Sequence, residues 1–356
     1  MSRRLVLGLA LVLALGCGGA PSSYEIHFAT GQRAQAAGRH AEAAQAYDEA
    51  ARSPSAPKRD RQYAAYLSAM ELVSSGDVAQ GAARLDAIAK AGGELAPQAR
   101  YDVILLHMRT QDPAVPSELD DLLRRWPNHG VAYPALQARL RIARDKGGEA
   151  AVLDYLRALA PVVARTDSED RVAYDIAESL AALGRTEEAR DAFLLVATRY
   201  PYPKPYFDDA LWRASQLDEA LRKPDAAIAD LQRMLGALES STLPGTYIRP
   251  RFPDAGWRIA TLYRDELGDK RKAAEAFERY VDMFPDDVRR GEALWQQAKL
   301  LRELGDQDRA CGSLSRLIRV APDSRYVPCA IDRCPTLTRP EGSPAPKTCR
   351  AYITRD

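Results

Sequence analysis

The sequence of 356 residues lacks the short motifs that mark common enzymes. It contains no phosphate-binding loop, no dinucleotide-binding glycine motif and no nucleophile elbow of the G-x-S-x-G type. Its four histidines, His27, His40, His107 and His129, have no second histidine or cysteine at metal-ligand spacing. We therefore expect no catalytic residue, no cofactor, no metal site and no small-molecule substrate.

An excess of charge of one sign is also missing, as are long runs of β-branched residues. The chain has 50 lysines and arginines against 49 aspartates and glutamates, so it offers no surplus of positive charge to a phosphate backbone. Alanine, leucine, arginine and glutamate are abundant, and these residues favour helices. The composition predicts an all-α protein without a nucleic-acid partner.

Apolar runs long enough to cross a bilayer are absent, and the longest one stands at the start of the chain. MSRRLVLGLALVLALGC has two arginines and then eleven uncharged, mostly apolar residues before Gly16 and Cys17. Eleven residues of helix rise about 16 Å, roughly half the thickness of a bilayer core. This length is typical of the apolar part of a signal peptide.

The stretch LALGC (13–17) resembles the lipobox of bacterial lipoproteins. The resemblance implies a signal peptide at residues 1–16, acylation of Cys17, with palmitate among its acyl chains, and an acylated tether at residues 17–23. Several acyl chains, at about 0.8 kcal/mol per buried CH₂, would hold the protein on a membrane durably.

The residue after the cysteine is Gly18 and not aspartate, which by the same resemblance implies the outer membrane and a periplasm-facing protein. The alternative is an ordinary secreted protein that is cleaved near Ala20.

A spaced pattern recurs along the rest of the chain. Glycine is followed by alanine five residues later, by an aromatic residue or leucine four residues after that, and by proline another eight residues on. The complete copies are Gly184-Ala189-Phe193-Pro201, Gly268-Ala273-Phe277-Pro285 and Gly305-Ala310-Leu314-Pro322. Looser copies bring the total to eight units of about 37 residues between Tyr24 and Pro322.

Each unit is predicted to be two helices joined by a glycine turn. The small alanine allows the two helices to approach closely, the large residue fills the space beside it, and proline ends the second helix. A single pair cannot bury its own apolar face, so neighbouring pairs must stack.

This pattern resembles the tetratricopeptide repeat. The resemblance implies a right-handed superhelical solenoid of about eight helix-turn-helix units that binds other proteins. We expect an N-terminal array at residues 24–201 and a C-terminal array at residues 202–322 with a proline-rich insertion at 241–253. Residues 255–287 are similar to repeat proteins of outer-membrane assembly and of the Tol–Pal system, and the first helix there carries one extra residue.

Aromatic side chains recur ten residues before the turn position, or eleven residues in the lengthened seventh unit. They are Phe28, Tyr66, Tyr174, Trp212, Trp257 and Trp295. If the first helices line the inner surface, these rings form a groove for an extended peptide or protein segment. The alternative is that each ring packs on the neighbouring first helix and is half-buried.

Four cysteines besides Cys17 cluster near the C-terminus. They are Cys311, Cys329, Cys334 and Cys349. An even number in an exported chain predicts two disulfides, with three pairings open, and a bond from Cys311 to the tail would make residues 323–356 a stapled cap for the last repeat. The alternative, a metal site at Cys329 and Cys334 with Cys349, has no recognised zinc-ribbon spacing.

Together these features predict a membrane-anchored scaffold or adaptor that binds envelope proteins or peptide segments. Its partners would belong to outer-membrane assembly, to Tol–Pal, or to a secretion or motility complex. The alternative is a periplasmic chaperone of the holdase type, which would bind extended segments in the aromatic groove.

Overall fold

The computed structural model describes residues 22–237 and 251–354. The predicted signal peptide, Cys17, most of the tether and most of the insertion at 241–253 lie outside these ranges. Every regular element in the described ranges is a helix, which confirms the all-α prediction.

The chain divides into two compact units between Ile142 and Ala143. The boundary that we predicted near Pro201 therefore falls inside the second unit. The helices of the first unit are α1 (Ser23–Ala36), α2 (His40–Arg52), α3 (Lys58–Ser75), α4 (Val78–Ala91), α5 (Ala96–Arg109), α6 (Val115–Arg125) and the start of α7 (Ala132–Leu159). Consecutive helices from α1 through α6 pack against each other in chain order.

The second unit repeats the arrangement of paired helices. Its helices after α7 are α8 (Glu169–Ala182), α9 (Thr186–Arg199), α10 (Phe207–Ala220), α11 (Pro224–Leu235), α12 (Arg251–Thr261), α13 (Lys270–Met283), α14 (Arg290–Glu303), α15 (Gln307–Val320), α16 (Val327–Arg333) and α17 (Ala351–Thr354). Helix α7 loses helical geometry at Gly147 and Gly148 and so consists of two successive helical segments. With these two segments, the described residues contain the helices for the eight helix-turn-helix units that the sequence predicts.

The turn inside each pair depends on one residue with left-handed backbone geometry. In the fifth unit Gly184 has φ of 71°, and the Arg185 N–H donates across it to the carbonyl of Leu180 at 3.0 Å. This bond satisfies a carbonyl that the end of a helix leaves free. In the sixth unit Arg222 occupies the same position with φ of 57°, although its side chain is disfavoured there.

We expect opposite effects from exchanging the residues at these two turns. Arg222→Gly should raise the free energy of unfolding by roughly 0.5 kcal/mol, and Gly184→Ala should lower it by roughly 1 kcal/mol, because only glycine adopts this geometry without a steric cost. Urea unfolding of both variants measures the two differences. A loss of stability in Arg222→Gly would contradict the explanation.

Aspartate often follows the turn and begins the second helix. The side chains of Asp77, Asp269 and Asp306 each accept a hydrogen bond from the backbone N–H three residues later. Such caps satisfy one of the free N–H groups at the start of a helix. The glycine-aspartate pair therefore ends one helix and begins the next within two residues.

The extra residue predicted in the seventh unit is accommodated by a π-helical turn. Helix α12 continues into residues Leu262–Glu266, and the Leu267 N–H donates to the Leu262 carbonyl at 3.1 Å, five residues back. A π turn takes up one additional residue without ending the helix. The insertion therefore leaves the turn at Gly268 in place.

Candidate protein-binding surface

The repeat-signature residues form the core between the helices of each pair. Ala189, Phe193, Ala273, Phe277 and Ala310 are all fully buried. Because no surface remains on these side chains, they hold the helices together and are not available to a partner. Any binding surface must lie on the exposed faces of the helices.

The six aromatic residues of the first helices are largely occupied in packing. Phe28, Tyr66, Tyr174, Trp212 and Trp257 are half-buried. Trp295 is only 7% exposed. The burial of five of these rings agrees with the second of our two interpretations, in which each ring packs on the neighbouring first helix and is half-buried, and Trp295 is more buried still. Contact between these rings and a partner stays a prediction.

Three of the rings meet the large core residue of their own second helix. Tyr174 contacts Phe193 edge-to-face at 5.4 Å, and Trp257 contacts Phe277 in the same way at 5.3 Å between ring centroids. Phe28 contacts Tyr47 edge-to-face at 5.4 Å. Edge-to-face pairs add about 0.5–1.5 kcal/mol to the burial of the rings.

The same rings also join one repeat to the next. Tyr174 stacks on Tyr206 at 4.9 Å, and Trp295 stacks on Tyr326 at 5.5 Å. The guanidinium of Arg289 lies 5.6 Å from the ring centroid of Trp257. Tyr206, Arg289 and Tyr326 all stand directly before a helix, so in these three cases the same position receives the ring of the repeat before it.

Tyr66 makes the corresponding link with its hydroxyl group. This hydroxyl donates a hydrogen bond to Oδ2 of Asp102, which lies on the next first helix, at 2.7 Å. Burial raises the pKa of Asp102, and the hydrogen bonds from Tyr66 and Gln98 partly offset the effect. The polar ring therefore stabilises a carboxylate that is otherwise costly to bury.

Charged residues of successive first helices form ion pairs beside the rings. Nε of Arg213 lies 2.8 Å from Oε1 of Glu178, and Arg258 pairs in the same way with Glu219. Glu178 and Arg213 are 35 residues apart, close to one repeat. Exposed pairs of this kind contribute little to stability, but they fix the charge pattern of the first-helix surface. We did not predict these pairs, although the recurrence of opposite charges at the repeat spacing signals them.

The histidines have structural partners in the part of the chain that the structure describes. Nδ1 of His40 lies 2.7 Å from Glu71, Nδ1 of His107 lies 2.8 Å from Glu118, and Nδ1 of His27 lies 2.8 Å from Glu49. Within residues 22–237 and 251–354, no group of three histidines, cysteines or carboxylates is placed to hold a metal ion.

The four C-terminal cysteines form two disulfides. Cys311 on α15 bonds to Cys334 at the end of α16, and Cys329 on α16 bonds to Cys349 shortly before α17. Of the three pairings that the sequence leaves open, the structure has the one in which the first bond links the last repeat to the tail and the second bond links two parts of the tail. These sulfur atoms are therefore not available for the alternative metal site.

Residues 339–347 of the tail are held by polar contacts within the loop and by one contact to the end of the last repeat. Nη1 of Arg339 donates to the carbonyl of Pro346 at 2.8 Å, and the hydroxyl of Ser343 donates to the carbonyl of Pro322 at 2.5 Å. A proline-rich stretch with few apolar residues is thus held by an arginine and a serine. The result is a cap on the final helix pair, where no further repeat follows in the described chain.

A cavity of about 180 Å³ opens where this tail meets the first helix of the last repeat. Trp295, Ala298 and Leu314 form its apolar wall together with Ile353 of α17. The cavity is built from both the repeat and the tail, which neither the repeat pattern nor the cysteine count predicts.

Family models of the tetratricopeptide repeat match four parts of the sequence. One model matches residues 171–201, 254–287 and 292–324, which contain the three complete copies of the spaced pattern, and a second matches residues 9–57. The chain contains tetratricopeptide repeats. Such repeats mediate protein–protein interactions, and their fold is typically non-enzymatic.

Solved structures also match parts of this chain. MamA from Desulfovibrio magneticus is 17% identical, with 52% of this chain and 92% of that chain covered and a TM-score of 0.33. YrrB, described as a tetratricopeptide repeat protein with an unusual peptide-binding site, is 14% identical over 60% and 97% of the two chains, with a TM-score of 0.35. A repeat-containing protein from Cytophaga hutchinsonii is 13% identical over 75% and 99%, with a TM-score of 0.44.

No curated protein matches the sequence. In the described ranges of the tetratricopeptide array and its tail, no helix has the length and hydropathy of a membrane span.

Proposed function

We propose that this protein is a lipid-anchored adaptor that holds partner proteins at the periplasmic side of the bacterial outer membrane. The lipobox-like sequence before Cys17 supports the anchor. The two disulfides support an oxidising compartment, because such bonds are rare in the cytosol of most organisms. The proposed partners are components of outer-membrane assembly, Tol–Pal, or a secretion or motility complex.

The observation that carries the adaptor role is the first-helix surface of the tetratricopeptide array. A carboxylate of one first helix pairs with an arginine of the next in two successive steps, Glu178 with Arg213 and Glu219 with Arg258. Fixed charges in a defined order favour one partner of complementary pattern over many unrelated ones. An adaptor requires this kind of selectivity.

The holdase alternative is less well supported. A holdase that captures unfolded segments needs open apolar surface, because such segments are recognised by their apolar side chains. The rings assigned to that groove are instead half-buried or buried against neighbouring helices. The adaptor role therefore fits the surface better.

Crosslinking and affinity capture of the acylated protein from bacterial membranes test this proposal. We expect one or two defined envelope proteins in near-stoichiometric amounts. Recovery of many unrelated proteins, together with suppression of aggregation of an unfolded test protein, would reject the adaptor and support a holdase.

The anchor is tested separately by Cys17→Ser. The variant cannot be acylated, so we expect it in the soluble periplasmic fraction, whereas the unmodified chain fractionates with membranes. Ser23→Ala, which leaves Cys17 in place, serves as the control. A Cys17→Ser protein that stays on the membrane would show that the lipid anchor is wrong.

A further inference from the structure

The cavity between α14 and the tail has a strongly basic side. Lys299, Arg302 and Arg333 line it, and in the described part of the chain none of the three has an ion-pair partner. The single carboxylate in the lining, Glu303, is held at 2.9 Å by Nζ of Lys270. Three cations therefore line the cavity against one carboxylate, and that carboxylate is already paired.

One nitrogen of this basic side is buried without a hydrogen bond. Nη1 of Arg302 is shielded from solvent, and no acceptor for it exists among the described residues. Leaving a charged donor unsatisfied in this way is unfavourable, and an anion that pairs with the rest of the guanidinium group offsets part of the cost. The guanidinium group is well suited to a carboxylate, which accepts two parallel hydrogen bonds.

The opposite wall of the cavity is apolar. Trp295, Leu314 and Ile353 are all less than one tenth exposed and present carbon atoms to the cavity. Its volume, about 180 Å³, exceeds the roughly 150 Å³ of an engineered protein cavity that holds benzene. An apolar group of that size and a carboxylate beside it match the two walls.

We propose that this cavity binds an acidic side chain, together with a neighbouring aromatic or aliphatic side chain, from a partner protein. Arg302 and Lys299 pair with the carboxylate while Trp295 and Ile353 cover the apolar side chain. The inference rests on the proposed adaptor role only for the source of the ligand, a segment of a partner protein.

The disulfide-bonded tail completes this site. Arg333 directly precedes Cys334, which is bonded to Cys311, and Ile353 follows Cys349, which is bonded to Cys329, by four residues. The two disulfides thus fix the two lining residues that come from outside the repeat. Binding at this site should therefore require the oxidised protein.

Fluorine NMR of the full-length chain labelled with 5-fluorotryptophan tests the site directly. The chain has four tryptophans, and Trp295→Phe assigns the signal that reports the cavity. The probe is the dipeptide acetyl-Phe-Glu-amide at millimolar concentration, in which the glutamate side chain is the only carboxylate. The matched probe acetyl-Phe-Gln-amide differs only in lacking the charge.

We expect the glutamate peptide to shift the Trp295 signal and the glutamine peptide to bind about tenfold more weakly or worse, because a charge-assisted hydrogen bond is lost. Arg302→Gln should reduce the affinity for the glutamate peptide by a similar factor. Arg319→Gln, which removes an exposed arginine of the adjoining helix α15, should leave it unchanged. Cys329→Ser combined with Cys349→Ser should abolish the response while helicity is retained.

Equal binding of the two peptides to the unmodified chain would overturn the proposal whatever the variants do. The proposal would also be overturned if the peptide shifted the Trp295 signal only after deletion of Arg355 and Asp356. In that case the end of this chain, and not a partner protein, would be the occupant of the cavity. The adaptor role fails independently of this test, since membrane capture measures partners and the peptide titration measures the cavity alone.

Discussion

Phe277→Ala is expected to lower the free energy of unfolding by about 3–5 kcal/mol, because it removes a large side chain from the protein core. The ring is fully buried. Its face is covered by the Arg264 guanidinium, 5.8 Å from the centroid, and the Trp257 ring meets it edge-to-face. Removal of the ring leaves a cavity in the centre of the seventh helix pair.

Phe277→Leu is the matched control, because leucine fills the equivalent position in other units, as Leu231 and Leu314 do. We expect this variant to lose only about 1 kcal/mol, since most of the volume is retained. Guanidinium unfolding followed by circular dichroism measures both values, and hydrogen exchange in α12 to α14 locates the loss. Equal losses in the two variants would show that the position does not require a large side chain to fill it.

A second large effect is expected from Asp230→Asn at alkaline pH. Burial, followed by the negative charge of Asp218, raises the pKa of Asp230 to about 7, while Arg233 and Arg190 only partly oppose the shift. Asp218 is itself 1% exposed and pairs with Nη1 of Arg190 at 3.0 Å. Two neighbouring carboxyl groups, such as those of Asp218 and Asp230, are most stable when one of them carries a proton.

The direction of the pH dependence follows from the raised pKa. Below about pH 4 Asp230 is protonated in both the folded and the unfolded chain, so its contribution to stability is fully present. As the pH rises to about 7, the unfolded chain releases the proton before the folded protein does, and stability falls by about 2 kcal/mol after allowance for solvent screening. Asparagine carries no charge at any of these pH values and removes this loss.

We therefore expect Asp230→Asn to be more stable than the unmodified protein by about 2 kcal/mol at pH 8 and nearly equal to it at pH 4. Asp225→Asn, on the exposed side of the same helix, is the control and should change little at either pH. Thermal unfolding across this range provides the measurement. A loss of stability in Asp230→Asn at both pH values would contradict the proposed proton sharing.

The recurring local features of the fold were predictable from the sequence. The glycine of each complete pattern marks a left-handed turn, and the alanine and phenylalanine positions mark the buried contact, because these requirements act within one helix pair. The extra residue of the seventh unit was also visible, since it shifts Trp257 by one position from the turn. The turn of the fourth unit was harder to predict, because it lies at Gly147 and Gly148 and not at the position that the repeat spacing indicates.

Contacts between neighbouring repeats and contacts within the tail were less predictable from the sequence. The sequence predicts two disulfides but leaves three pairings open, because pairing depends on how the tail folds back. The repeat spacing locates the aromatic residues on the first helices, but it does not distinguish a ring that faces solvent from one that stacks on Tyr206 or Tyr326. Arg333 and Ile353 enter the candidate site only through the folded tail.

The central claim is that a partner protein binds the first-helix surface of the array. It is tested most directly by exchanging the charges of one ion pair on that surface. Glu178→Arg combined with Arg213→Glu retains the pair but inverts the charge at both positions. The matched control, Asp282→Arg combined with Arg316→Asp, does the same on the second helices α13 and α15.

Quantitative crosslinking of the acylated protein in bacterial membranes measures partner capture by both variants, and thermal melting verifies that each remains folded. We expect the first-helix exchange to reduce capture of the partner about tenfold, as inverted charges at an interface repel their complements, and the second-helix exchange to leave capture unchanged. Full capture by the first-helix variant, or loss of capture only in the second-helix variant, would contradict the account.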